Sequence, residues 1–196
     1  MQALVVIAHP CDDSFTHATA AAARRGLGLG GHEVDVIDLY ADRFQAAMSL
    51  DEWRAYESDT PILDPQVADH AQRLQRAEIL VFVYPTWWSG LPALLKGWLE
   101  RVTVPGVGFT FDARTGKIRP GLRHVRRIVG VSTYGSPRPY VKLINDNGRR
   151  MLTRSLRMTA GWQARTDWVA LYSMDATSLA DRTAFLERIE RRMGSI

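Results

Sequence analysis

Cysteine is nearly missing. Cys11 is the only one in 196 residues, so no intramolecular disulfide can staple the fold. Lysine is almost as scarce, because 22 of the 25 basic residues are arginine. No apolar run approaches the ~20 residues that a membrane-spanning helix needs. The histidines His9, His17, His32, His70 and His124 never fall at ligand spacing such as H-x-x-x-H, and one cysteine cannot anchor zinc, so metal chemistry is not indicated. Cys11 itself reads as incidental. No G-x-x-x-x-G-K-[ST] sequence supports a Walker-type nucleotide hydrolase. The opening Met1 to Ala8 lacks the basic stretch of a secretory signal, and with the lone cysteine this leads to the expectation of a reducing, cytoplasmic setting. Repeats, linkers and low-complexity tracts are absent, and the length suits one domain around one core.

What is present is a charge imbalance hidden by a net charge of +4. Up to Asp112 the chain carries 8 basic and 15 acidic residues; beyond it the numbers are 17 and 6. A basic half suits nucleic acid, an anionic cofactor, a membrane surface or an acidic partner, or else a solvated arginine surface. Sparse lysine, scattered arginines and the lack of a basic helix interleaved with aromatics argue against nucleic acid.

Apolar runs at residues 3–8, 34–39, 78–84 and 128–132, and a more alternating one at 166–171, read as strands. Continuous apolarity is what a parallel sheet covered on both faces demands. Between them lie helical patterns: Phe15 to Leu27, Val67 to Leu74, Leu94 to Val102, about Tyr140 to Leu156 and about Leu179 to Met193. This alternation predicts an α/β fold, a doubly wound five-stranded parallel sheet with helices on both faces. About 45–64 and 105–123 fall outside the rhythm as excursions, with a small strand near Phe109 to Asp112.

Gly26-Leu27-Gly28-Leu29-Gly30-Gly31 satisfies G-x-G-x-x-G, but it closes a helix where a dinucleotide loop must open one, so helix termination explains it. Ligands of open parallel sheets sit beyond the carboxyl ends of the strands. Three loops lie there. His9 to Thr16 offers a helix N-terminus with Ser14 and Thr16 hydroxyls suited to phosphate, or simply a capped helix. Tyr84 to Pro92 holds Trp87 and Trp88, which cannot both face one core side, so at least one is expected at a flat ligand or an interface, or else both cover the sheet edge. Ser132 to Tyr140 adds hydroxyls, two tyrosines and Gly135, whose missing side chain lets backbone approach a ring. An anion seat, an aromatic wall and a polar loop describe a phosphate-tailed planar cofactor such as flavin.

The segment Tyr84 to Val102 closely resembles Tyr-Pro-x-Trp-Trp-x-Gly-x-Pro-Ala-x-Leu-Lys-Gly-Trp-x-(Asp/Glu)-Arg-Val of the flavodoxin-like NAD(P)H:quinone oxidoreductases, the DT-diaphorase family. The His9-Pro10…Ser14-Phe15 loop and Gly108-Phe109-Thr110-Phe111 extend the resemblance. It implies a single flavin-binding domain over 1–196 that passes two electrons by ping-pong hydride transfer from NADH or NADPH to a quinone-like acceptor. His9, Ser14, Phe15 and Thr16 would hold the flavin phosphate end. Pro85, Thr86, Trp87 and Trp88 would line the isoalloxazine, and Thr133, Tyr134, Gly135 and Ser136 would meet its pyrimidine edge. Tyr140 would stabilise negative charge near N1 and O2 as the catalytic hydroxyl.

Two departures stand out. Tyr134 replaces a family glycine, placing a side chain where that glycine leaves space. Asp146 stands where diaphorases carry a histidine, so their Tyr-His relay does not transfer. The short length is similar to that of the quinone reductase ancillary subunits of bacterial potassium-efflux systems, which favours FMN over FAD. It also raises an alternative, a flavin-binding regulatory subunit in peripheral contact with a membrane transporter. The resemblance further implies a homodimer, with the apolar face of Leu94 to Val102, including Trp98, as its expected contact.

Overall fold

A computed structural model describes Met1–Ile196. The apolar runs become β1 (Gln2–Ile7), β2 (Glu33–Asp38), β3 (Ile79–Pro85), β6 (Arg127–Thr133) and β7 (Arg165–Leu171), all parallel in the order β2-β1-β3-β6-β7. The register runs Val36, Val5, Val81, Val129 across its first four strands. The strand order reverses between β1 and β3, so the flanking loops diverge there and leave a crevice.

Each face of the sheet is covered. On one face lie α1 (Phe15–Leu29) and α8 (Leu179–Gly194), packed on Val5, Val81 and Val129. On the other, α3 (Pro65–Arg76), α4 (Ala93–Val102) and the helices after β6 cover Leu4, Phe82 and Ile128. The excursion at 45–64 contains only the short α2 (Leu50–Ala55), and the one at 105–123 forms the hairpin β4 (Phe109–Phe111) and β5 (Ile118–Pro120). No helix is long and apolar enough to cross a membrane.

The glycine-rich tail of α1 has two causes. Gly30 caps the helix and Gly31 takes a left-handed φ of +75°. Gly26 instead serves packing: a Cβ there would lie 2.3 Å from the Glu190 carbonyl oxygen and 2.7 Å from Met193 Cβ on α8. Gly26→Ala therefore destabilises by about 1–2 kcal/mol in urea unfolding, although alanine is the better helix former, because overpacking outweighs propensity.

Two expectations need correction. The pattern from Tyr140 to Leu156 is not one helix. It breaks into α5 (Arg138–Leu143) and α6 (Asn147–Arg150), the latter continuing through a π-helical segment (Met151–Leu156) into α7 (Arg157–Ala160). The break lies at Asn145 and Asp146, with φ of +78° and +44°, conformations that Asn and Asp tolerate better than most side chains. Trp98, expected at a subunit contact, is fully buried and its indole N–H donates to His70 Nδ1 at 3.2 Å. Burial pushes the His70 pKa down, which keeps this ring a neutral acceptor.

Candidate functional site

Strand ends position three loops side by side. Pro85 closes β3 opposite Thr133, the last residue of β6. The Thr86 amide donates to the Thr133 carbonyl at 2.8 Å, and the Thr86 hydroxyl lies 2.9 Å from the Ser132 hydroxyl. These bonds lock the second loop onto the third.

In the first loop, Ser14 is the N-cap of α1, its Oγ accepting from the His17 amide at 3.3 Å. The Phe15 and Thr16 amides find no carbonyl acceptor, as the first turn of a helix requires. Their side chains do other work: Phe15 packs 6.1 Å from Phe185, and Thr16 is buried. The amides of these two residues remain free to serve an anion. His17, absent from the expected set, places Nδ1 3.1 Å from Ser14 Oγ and Nε2 2.8 Å from Asp38 Oδ2 at the end of β2. His17 thus bridges the α1 N-cap to the carboxylate at the end of β2 and fixes the position of the Ser14 side chain.

The second loop turns through Trp87-Trp88-Ser89-Gly90, where the Gly90 amide donates to the Trp87 carbonyl at 3.0 Å. Trp88 and Ser89 both have left-handed φ, +47° and +60°, a strained choice for residues with side chains. The turn throws Trp88 fully into solvent and leaves Trp87 41% exposed. Trp87 reaches back to His9, ring centroids 6.1 Å apart, joining the first loop to the second.

The third loop carries Tyr134, whose ring does not stand in the open space as expected. It is 3% exposed, stacks on Tyr172 at 4.8 Å and 22°, and donates its hydroxyl to Asp146 Oδ1 at 3.0 Å. Burial, then the Asp146 carboxylate, push this phenol far above its ordinary pKa, so it is a fixed hydrogen-bond donor. Asp146 thus braces the helix break against the loop. Beneath them, burial pushes up the Tyr84 phenol as well, and Gly148 lets α6 approach that hydroxyl.

The loops enclose a cleft of about 270 Å³ lined by Thr86, Trp88, Ser89, Tyr134, Gly135, Ser136, Tyr140, Val141, Ile144 and Asp146. Six expected site residues meet there: Thr86, Trp88, Tyr134, Gly135, Ser136 and Tyr140. Tyr140 stands half-exposed at its edge, while His9, Ser14 and Trp87 form the adjoining seat. Sequence reasoning missed His17, Asp38 and Tyr172 as partners. For His17 the available signal was its place one turn beyond a capping serine.

Compared with known proteins, residues 1–194 match a sequence family described as having a flavodoxin-like fold. The chain is similar to the NAD(P)H dehydrogenase [quinone] 1 of Cavia porcellus, 30% identical over 154 residues, covering 71% of this chain and 55% of that protein. It spans about half the length of the first curated relatives it matches. Among solved structures it resembles the NAD(P)H:quinone oxidoreductase from Methanothermobacter marburgensis, with a TM-score of 0.80 and 26% identity over 100% of this chain and 96% of that one. An FMN-dependent NADH-azoreductase from Bacillus anthracis, solved in complex with FMN, has the same fold, with a TM-score of 0.77 and 15% identity over 99% of this chain and 97% of its own.

Proposed function

The chain belongs to the flavodoxin-like fold family, and on that footing we propose that residues 1–196 form one flavin-binding domain catalysing NAD(P)H-dependent reduction of a quinone-like acceptor. The observation that carries this reading is the meeting of an anion seat and an aromatic loop. The free first-turn amides of α1 lie beside Ser14, and His9 of that loop touches Trp87 of the next. Helix N-terminal amides and a serine hydroxyl fit a phosphate; an exposed indole and the side-chain-free edge at Gly135 fit a flat ring. FMN, as in the azoreductase neighbour, is the cofactor we assign, with one phosphate for one seat.

A bound flavin would supply two-electron hydride chemistry, linking NADH or NADPH to the acceptor in a ping-pong cycle. The protein's part is orientation and electrostatics. Ser14 and the Phe15 and Thr16 amides would hold the phosphate, Trp87 would wall the ring, and the loop from Thr133 to Ser136 would meet its polar edge. The Tyr140 hydroxyl, at the cleft rim, would donate a hydrogen bond to negative charge developing on a ring held in the cleft. Asp146 positions Tyr134 through the hydrogen bond from its hydroxyl.

The purified protein is accordingly yellow, and it oxidises NADH or NADPH when menadione is supplied. A colourless protein that takes up neither FMN nor FAD rejects the reading, and the mass of the released cofactor separates the two flavins. Trp87→Ala weakens flavin retention about tenfold through lost stacking, measured by fluorescence titration; unchanged retention makes Trp87 a bystander. A homodimer, as the resemblance implies, appears in light scattering at twice the 22.0 kDa chain mass.

A further inference from the structure

The arginines of the second half are not evenly scattered. A groove of about 520 Å³ runs along the edge strand β7 and is lined by Arg138 of α5, Arg149 of α6, Arg188 and Arg192 of α8, and the rings of Trp168 and Tyr172. The carboxylate in its wall, Asp167, is already held by Arg127 at 2.8 Å and by Arg192. Arg188 spends one N–H on the Ala170 carbonyl at 2.7 Å, closing part of the exposed strand edge. Arg138 and Arg149 have no carboxylate within ion-pair distance and are exposed. Both act on Tyr172, whose phenol burial and Asp146 push up while Arg149 and Arg138 draw it back.

The groove shares a wall with the cleft. Tyr172 of the groove stacks on Tyr134 of the cleft, and Ser136 of the cleft is two residues from Arg138 of the groove. The anion seat of the first loop is elsewhere: β1 and β7 are three places apart in the sheet, about 14 Å at ordinary strand spacing. The arginines therefore do not serve that first seat. A cleft of 270 Å³ is small for a whole dinucleotide, whose phosphates must lie outside it.

We propose that this groove is the seat of the pyrophosphate of NADH or NADPH, with Arg138 and Arg149 as its principal ligands while the nicotinamide enters the cleft. The assignment rests on the oxidoreductase reading above. Guanidinium forks suit pyrophosphate oxygens, and the neighbouring aromatic rings suit the ribose and adenine that follow.

The test compares NADH with dihydronicotinamide riboside, a hydride donor without phosphates, in wild-type holoprotein and an Arg138→Gln/Arg149→Gln double variant, with menadione as acceptor. The ratio of kcat/KM for NADH to that for the riboside falls about tenfold or more in the variant, the size expected on losing charge-assisted bonds. Calorimetric titration with ADP shows binding to the wild type that weakens by a similar factor. Both residues are exposed, so the variant keeps the melting temperature and flavin spectrum of the parent. An unchanged ratio overturns the proposal. So does inorganic phosphate bound as tightly as ADP, or a short DNA duplex that displaces ADP at equal phosphate concentration. A wild type that oxidises neither donor defeats the oxidoreductase reading instead, and the ADP titration then decides the groove alone: binding lost in the variant supports it, and no binding overturns it.

Discussion

Ser14→Asp leaves the fold as stable as the parent, or slightly more so, while weakening FMN binding about a hundredfold. Aspartate is as good an N-cap as serine, and its charge is favourable at the positive end of α1. The same charge faces the flavin phosphate. Two like charges about 4 Å apart repel by about 4 kcal/mol at an effective dielectric near 20. Residue 14 is only half-buried, and solvent screening takes up part of that repulsion, which brings the loss down to about a hundredfold. Ser14→Ala behaves in the opposite order. It removes the cap, costing about 1 kcal/mol of stability, and leaves the two backbone amides available to the phosphate. Thermal melting without flavin and fluorescence titration with FMN read the two effects separately. FMN binding by Ser14→Asp at the parent's affinity would place the phosphate elsewhere.

Arg101→Met destabilises by about 3 kcal/mol, a large share of the about 5–15 kcal/mol typical of a folded domain. Arg101, on α4, is 5% exposed and donates to Glu52 Oε1 at 2.9 Å, the Gln45 carbonyl at 2.6 Å and Asp64 Oδ2 at 2.8 Å. This one side chain ties both ends and the middle of the 45–64 excursion to the helix that follows the Trp87 loop. Methionine fills the volume but strands Glu52, itself 8% exposed, without a counterion. The effect fades in acid. Burial pushes both carboxyls up, yet the Ser49 amide and Arg101 at Glu52, and Arg101 and the Gln66 amide at Asp64, outweigh it and hold both pKa values below the ordinary range. Groups with depressed folded pKa values contribute stability above their unfolded pKa, about 4, and lose it as pH falls through the folded value. The gap between parent and variant in urea unfolding is therefore full at pH 7 and shrinks below about pH 4. A gap that stays constant with pH would mean that Arg101 acts through packing alone.

The five sheet strands were legible because burial on both faces leaves an unbroken apolar run, a signal carried by adjacent residues. The three site loops followed from the strands, since a parallel sheet puts its ligands at one end. Failures began where a residue's state depends on a distant partner. Trp98 looked like an interface residue because α4 is apolar over more than one stripe, and only His70, on another helix, gives its N–H a buried acceptor. The break at Asn145 and Asp146 was hidden because the bond from Tyr134 that braces it spans 12 residues. His17 and Asp38 meet across 21 residues because β2 lies beside β1. Gly26 was misread for a similar reason: the constraint on it comes from α8, at the far end of the chain.

The strand order has an electrical consequence. Reading β2-β1-β3-β6-β7 across the sheet is nearly reading the chain from its first half to its second. The strands of the acidic half and those of the basic half thus lie on opposite sides of the sheet, with α8 crossing back to pack on α1, and the small net charge conceals a gradient of charge across the strands. An approaching anion is turned toward the β7 flank before it makes any contact, and added salt shortens the range over which that torque is felt. In such a molecule topology converts the order of charges along the chain into a direction of approach.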